Sequence, residues 1–209
     1  MKRLPVLLIR LAFLALFIFL VVNGRVLLWL VIFAVSLLVA IVFGRLYCGY
    51  ACPINTVMMP IAKISQKLGI GGRKSPKWLQ SGRVAWIALI ISAAIYALTR
   101  LVIHKTFPVL LIWLALAVMV TLFYKPEVFH NKICPFGVLQ RLFARSPRFS
   151  RFVVPEPCDG CKDCEKVCPA EAIAVREDKK AYVNTQACLQ CKNCQFICHA
   201  ETIPYGKVF

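Results

Sequence analysis

The chain has 209 residues, of which 60% are apolar, and it carries 26 Lys and Arg against 9 Asp and Glu, for a formal net charge of +17. A mean hydropathy of +0.72 is too high for an ordinary soluble domain, so part of the chain is expected to lie in lipid. Residues 1–151 hold 19 of the basic residues and one acid, Glu127. A basic excess confined to the apolar part indicates membrane topology and excludes a nucleic-acid-binding protein.

Four apolar runs are long enough to predict transmembrane helices, since about 20 residues span the hydrocarbon core. They cover roughly residues 5–22, 26–43, 84–103 and 108–124. The first run contains Arg10 and, with its basic start, also has the pattern of a signal peptide. No small-residue cleavage site follows it, so we expect a retained helix. The sequence therefore predicts an α-helical membrane protein with a four-helix transmembrane domain over residues 1–145.

The distribution of Lys and Arg between the loops predicts the orientation. Segments 44–83 and 125–151 collect most of them, whereas the opposite side has only Arg25, Arg100 and Lys105. Cytoplasmic loops collect basic residues, so both termini are expected to be cytoplasmic in a multi-pass protein of the inner (cytoplasmic) membrane. The basic loops are suited to anionic lipid headgroups and, alternatively, to an acidic redox partner.

Eight of the eleven cysteines form two runs of one spacing, C-x2-C-x2-C-x3-C, and Pro169 follows the first run. In such runs three thiolates bind one [4Fe-4S] cluster and the fourth ligates the other cluster. The first predicted set is Cys158, Cys161, Cys164 and Cys198, and the second is Cys188, Cys191, Cys194 and Cys168. Zinc also uses Cys-x2-Cys pairs, but two matching four-cysteine runs favour iron and sulfide. A c-type haem needs C-x-x-C-H, which is absent.

Residues 155–205 resemble the bacterial-type two-cluster ferredoxins. The resemblance implies two halves, each a short β-hairpin and a helix, related by pseudo-two-fold symmetry. We therefore expect a C-terminal α+β ferredoxin domain at 158–209, tethered by a proline-containing linker at 146–157. The second run departs from the family pattern because His199 follows Cys198 where proline is expected. This change touches no cluster ligand.

A second cysteine pattern follows the second and fourth apolar runs. Cys48-Gly-Tyr-Ala-Cys52-Pro and His130-Asn-Lys-Ile-Cys134-Pro share one frame, and each precedes an amphipathic stretch. This is a parallel internal repeat, and two intervening spans would place both motifs on one membrane face. Three thiolates and an imidazole could hold a third iron-sulfur cluster, zinc or copper, and Cys48 with Cys52 could form a redox-active pair. The alternative is that they are small buried residues at helix starts.

Several absences narrow the function. The three histidines, His104, His130 and His199, are not arranged as a haem-binding pair within the spans. No Gly-rich nucleotide loop follows a strand pattern. With Glu127 as its only carboxylate, the apolar part has no chain of acids to relay protons. Intramembrane haem, nucleotide cofactors and ion pumping are therefore not predicted.

The whole chain resembles membrane polyferredoxins of the NapH/NosR/CcoG type, which have C-x3-C-P motifs and a 2×[4Fe-4S] domain. Cys48 and Cys52 match the first motif, and Cys134 alone matches the second. The resemblance implies single-electron transfer between a quinol or cytoplasmic donor and a membrane redox partner, as a subunit of an oxidoreductase complex. One alternative is a cupric reductase involved in respiratory enzyme assembly. The other is a membrane anchor for a ferredoxin, with no redox role for the helices.

Overall fold

The computed structural model describes residues 3–73, 75–76, 79, 81–99, 101 and 109–208, so the predictions made for Arg100, His104 and Lys105 lie outside the described residues. Helices come first, and short strands follow near the C-terminus. The first part contains α1 (Leu4–Val22), α2 (Val26–Phe43), the π-helical turn π1 (Tyr47–Ala51), α3 (Pro53–Lys67), α4 (Arg83–Leu98), α5 (Val109–Phe123), α6 (Pro126–Val128), the π-helical turn π2 (Phe129–Ile133) and α7 (Pro135–Phe143). The second part contains β1 (Phe149–Arg151), α8 (Asp163–Lys166), β2 (Ile173–Val175), β3 (Ala181–Val183), α9 (Asn193–Ile197) and β4 (Tyr205–Lys207).

Two helices, α1 and α2, are long and apolar enough to cross a membrane. Only 17% of each 18-residue apolar window is buried, so most of their aliphatic side chains face outward. Helices α4 and α5 are shorter, with 16 and 15 residues. Over the described residues the structure therefore gives two candidate membrane-spanning helices, and the predicted set of four is not supported.

The connection between α1 and α2 is a tight turn. The side-chain amide of Asn23 donates to the carbonyl of Phe19 at 2.7 Å, which satisfies an acceptor at the end of α1. Gly24 follows with a φ of 67°, a left-handed conformation that favours glycine after a helix. Helix α2 can therefore begin at Val26 and return beside α1.

The two cysteine motifs adopt the same local conformation. Each forms one turn of π-helix, ended by a cysteine in extended conformation, with ψ of 116° at Cys52 and 117° at Cys134. The amide of Cys52 donates to the carbonyl of Tyr47, and that of Cys134 to Phe129, both at 2.8 Å. The proline after each cysteine then starts α3 or α7, a position where its missing N–H costs nothing. The internal repeat predicted from the sequence is thus present in the backbone.

The C-terminal region is of the ferredoxin type, as predicted, but only β2 and β3 form one of the two expected hairpins, because β1 and β4 come from opposite ends of the region. Strand β1 pairs antiparallel with β4, and β2 pairs antiparallel with β3, with Ile173 opposite Val183. The two short helices α8 and α9 follow Lys162 and Lys192, which have nearly equal left-handed φ values of 65° and 66°. Strand β1 falls within the segment 146–157 predicted as a linker, so part of that segment belongs to a sheet.

The chain forms two compact units. One comprises residues 1–56 and 140–209, and the other comprises residues 57–139. The ferredoxin-type region therefore shares a unit with α1, α2 and π1. The division of the sequence at 1–145, 146–157 and 158–209 stays a prediction.

Candidate metal centre

Four cysteines of the second predicted set line one cavity of about 340 Å³, a volume that includes its open mouth. They are Cys168, Cys188, Cys191 and Cys194. Apolar side chains, among them Ile173 and Leu189, complete the lining, and all four thiols are free. Cys168, the fourth cysteine of the first run, thus lines the same cavity as the first three of the second run. Their joint role as cluster ligands stays a prediction.

The protonation of these thiols depends on what fills the cavity. Burial raises the pKa of the Cys194 thiol to about 12, and it also raises the pKa of Cys188 and Cys191. Negative charge on the neighbouring cysteines adds to the effect at Cys188 and Cys194. The buried thiolates needed for ligation are therefore stable only with a compensating cation, and binding a metal releases their protons. A soft all-thiolate donor set fits an iron-sulfur cluster.

The first predicted set lies closer to solvent. Cys161 is exposed, Cys158 and Cys198 are half-buried, and Cys164 is buried. Burial raises the pKa of Cys164 to about 11, with a further contribution from charge on Cys161. This set differs from the second mainly in its access to water.

The crossing cysteines are held by equivalent contacts in the two halves. The Sγ of Cys168 accepts the amide N–H of Ala172 at 3.2 Å. At the equivalent place the Sγ of Cys198 lies 3.3 Å from the hydroxyl of Thr202. Hydrogen bonds to ligand sulfurs tune the potential of an iron-sulfur centre, so Thr202 is a candidate functional residue that sequence analysis missed.

A second group missed by the sequence analysis surrounds His199. Its Nε2 lies 3.1 Å from the Oδ2 of Asp159, and the ligand atoms of Asp159, Cys161 and His199 lie within 4.8 Å of one another. All three residues are exposed. The histidine that replaces proline therefore has a carboxylate partner, and it sits at the solvent side of the first cysteine set.

Two arginines flank the second cysteine set. The Nη2 of Arg10, on α1, donates to the carbonyl of Cys191 at 3.2 Å, and Arg151 lines the cavity itself. Arg151 also donates to Oε1 of Gln195 at 2.9 Å and to the carbonyl of Ile203 at 3.4 Å. A cluster with four thiolate ligands carries net negative charge, so these guanidinium groups fit such an occupant. The signal in the sequence was Arg10, a lone charge within an apolar run.

The motif residues of π1 and π2 are buried. In the first motif, Cys48 and Cys52 are 6% and 8% exposed, and the Nη2 of Arg45 lies 3.7 Å from the Sγ of Cys48. In the second motif, His130 and Cys134 are 4% and 5% exposed. The amide of Gly137 donates to the Sγ of Cys134 at 3.3 Å. A third metal centre at Cys48, Cys52, His130 and Cys134 stays a prediction.

Family comparisons agree with these features. A 4Fe-4S dicluster domain model matches residues 157–202. A second model, described as a 4Fe-4S binding domain, matches twice, at residues 25–71 and 106–152, the two copies of the internal repeat. This chain is an iron-sulfur protein of the ferredoxin type. The narrower resemblance to the NapH/NosR/CcoG type stays a prediction.

Two relatives of this ferredoxin-type chain are distant. An uncharacterised protein of Methanocaldococcus jannaschii is 23% identical over 154 residues, covering 72% of this chain and 62% of the relative. The methylamine utilization ferredoxin-type protein MauN of Paracoccus denitrificans is 26% identical over 155 residues, covering 68% of this chain and 54% of MauN. The alignments thus span between about half and three fifths of these relatives' lengths. No solved structure matches the chain.

Proposed function

We propose that this chain is a membrane-anchored electron-transfer subunit of an oxidoreductase complex. It relays single electrons between a donor, either a quinol or a reduced cytoplasmic carrier, and a redox partner in the membrane. Bound [4Fe-4S] clusters supply the one-electron chemistry. The chain's own residues hold the clusters, keep them apart from water to different degrees, and fix them beside the apolar helices.

The ligands in this proposal are the eight cysteines of the two runs. The first set is Cys158, Cys161, Cys164 and Cys198, and the second is Cys168, Cys188, Cys191 and Cys194. The cavity lined by the second set supports the assignment, because it gathers cysteines from both runs. The matching backbone of α8 and α9 supports the same arrangement for the first set.

The observation that carries the proposal is the packing of the ferredoxin-type region on the first helical hairpin. Arg10 of α1 donates to the carbonyls of Gly49 and Cys191, at 2.9 and 3.2 Å. Arg45 donates to the carbonyl of Ala187 at 3.3 Å. A mere tether needs no such contacts, whereas an electron relay does, since it must keep donor and acceptor close.

The membrane part of the proposal rests on α1 and α2 and on the charge distribution. Both helices present apolar side chains outward, which suits lipid. We also propose that the chain is multi-pass, and that the ferredoxin-type region is cytoplasmic. The basic loops support this orientation, and a reducing compartment keeps cysteines available to iron.

Electron entry tests the proposal directly. The full chain, reconstituted into liposomes with its clusters, is mixed anaerobically with a soluble quinol or with reduced viologen as a one-electron carrier. Cluster reduction is followed by EPR. We expect at least one donor to reduce both centres in the wild type, and a Cys191→Ala variant to lose one centre. If neither donor reduces the clusters while dithionite does, the proposed relay is wrong.

Two further outcomes separate the rival functions. In a Cys48→Ala/Cys52→Ala variant, unchanged donor rates would mean that the helices serve only as an anchor. Reduction of added Cu²⁺ by the isolated, reduced protein, with loss of that activity in the same variant, would instead favour a cupric reductase. Both outcomes are read against the same iron content, so a simple loss of clusters is recognised.

A further inference from the structure

Arg10 is a charged residue within an apolar helix, and its side chain hydrogen-bonds two segments outside that helix. It lies within the apolar helix α1, where charged residues are costly and usually functional. Its Nε donates to the carbonyl of Gly49 in π1 and its Nη2 to the carbonyl of Cys191. One side chain therefore joins the span, the first cysteine motif and a cysteine of the second set, all within one compact unit.

The contact between π1 and the loop around Cys191, called the junction below, leaves no room for a side chain on residue 49. A Cβ on Gly49 would overlap the carbonyl oxygen of Leu189, and it would stand 3.3 Å from the amide nitrogen of Cys191. Gly44 is also tight, because a Cβ there would stand 2.8 Å from Nε2 of Gln190. The backbone of π1 thus lies directly against the loop that carries the second cysteine set.

The second copy of the internal repeat lacks these features. The offset that relates Cys52 to Cys134 places Asn131 at the position of Gly49 and Ser92 at the position of Arg10. Neither residue can do the same task, because asparagine has a side chain where contact needs none and serine carries no charge. The junction is therefore a property of the first repeat and not of the shared fold.

The two cysteine sets also differ in the charge around them. The offset that relates Cys161 to Cys191 pairs three acids of the first run with neutral residues of the second run, whereas Glu171 pairs with another acid, Glu201. The three pairs of an acid with a neutral residue are Asp159 with Leu189, Asp163 with Asn193, and Glu165 with Gln195. Lys166 forms an ion pair with Asp163 at 2.8 Å and offsets one of the acids. The second set instead has Arg10 and Arg151 beside Cys191.

We propose that Arg10 is a positioning residue that holds the second cysteine set against π1, and that its charge makes the centre in that set the higher-potential one. An added electron is stabilised by nearby positive charge and destabilised by carboxylates. Electrons received at the solvent-facing first set therefore move to the second set, one at a time, and no bond or proton is exchanged. The proposal rests on the proposed function and adds the internal order of the relay.

An anaerobic redox titration followed by EPR tests this order in the detergent-purified full chain. Arg10→Gln is expected to lower the reduction equilibrium constant of the higher-potential centre about tenfold, or about 59 mV for one electron. Arg10→Lys, which keeps the charge, should retain most of the wild-type value. Arg25→Gln makes the same charge change near the far end of α1 and should move neither centre. A Cys191→Ala variant shows which signal belongs to the second set.

A second variant removes the acids near the first cysteine set, so it tests the proposed order of potentials without changing Arg10. Asp163→Asn/Glu165→Gln should raise the potential of the lower-potential centre and leave the other in place. The proposal is overturned if Arg10→Gln moves neither centre, moves both equally, or moves the lower one. That result would leave the proposed electron transfer intact, whereas a wild-type protein that takes up no [4Fe-4S] cluster would overturn both.

Discussion

Gly49 and Leu189 touch through their backbones, so closely that a Cβ on residue 49 would overlap the Leu189 carbonyl oxygen. This contact joins a turn that follows an apolar helix to the loop holding Cys188 and Cys191. It explains why the first motif has glycine at position 49. The cysteine-rich region therefore packs against the helical hairpin through backbone contacts, in addition to its covalent connection along the chain.

Gly49→Ala is expected to destabilise the junction. The methyl group must displace a backbone oxygen, which cannot rotate away, and overpacking of this kind costs about 1–3 kcal/mol. Thermal unfolding of the purified holo-protein measures the effect as a lower Tm. Gly24→Ala is the matched control, because nothing lies within 4 Å of a Cβ there and only the φ of 67° opposes it. An equal or smaller loss at Gly49 would contradict the described contact.

Thr202→Ala is expected to lower the potential of one centre only. Its hydroxyl lies 3.3 Å from the Sγ of Cys198, and removing a hydrogen bond to a ligand sulfur favours the oxidised cluster. Thr202→Ser keeps the hydroxyl and should retain the wild-type potential. EPR-monitored titration of the two variants gives the comparison. A shift in the centre that contains Cys191 would assign Cys198 to the wrong set.

Tyr47→Phe is expected to cost about 1–3 kcal/mol of stability by leaving a buried donor unpaired. The indole N–H of Trp29, which is 1% exposed, donates to the Tyr47 hydroxyl at 2.9 Å. The double variant Trp29→Phe/Tyr47→Phe removes both partners and separates this hydrogen bond from packing in a double-mutant cycle. Phe129 occupies the equivalent place in π2, so the ring itself suits the turn. Additive losses in the cycle would show that the bond contributes nothing.

The chain is expected to fractionate as an integral membrane protein. Apolar side chains cover most of α1 and α2, and burying them in lipid requires no salt-dependent contact. Detergent should therefore release the protein, whereas high salt or alkaline carbonate should leave it in the pellet. Release by salt alone would mean that the net charge of +17, and not the helices, provides the attachment.

The sequence predicted the features that spacing encodes. Two runs of four cysteines specify which thiols must meet, and the structure brings Cys168 to Cys188, Cys191 and Cys194. The repeat was visible because Cys52-Pro and Cys134-Pro recur in one frame. Both signals rest on fixed spacings between a few residues, which can be read directly from the sequence.

Other features depend on distant partners and could not be predicted. Arg10 hydrogen-bonds the carbonyl of Cys191, which lies 181 positions later in the sequence. An apolar run does not indicate which distant carbonyl a charged side chain within it will contact. The π-helical turns were missed because five residues give no periodic signal that separates them from a loop. Hydrophobic run length predicted four spans, and parts of the third and fourth runs lie outside the described residues. Within the described residues the corresponding helices cover 83–98 and 109–123.

Two [4Fe-4S] clusters are expected in the two cysteine sets, and anaerobic iron and acid-labile sulfide content, together with EPR, measures this occupancy. The purified wild type should contain about eight iron and eight sulfide per chain, and Cys191→Ala about four of each. A count above eight that returns to eight in Cys48→Ala/Cys52→Ala would add a third centre. Zinc without sulfide, or iron content unaffected by Cys191→Ala, would show that the two cysteine sets do not hold two [4Fe-4S] clusters.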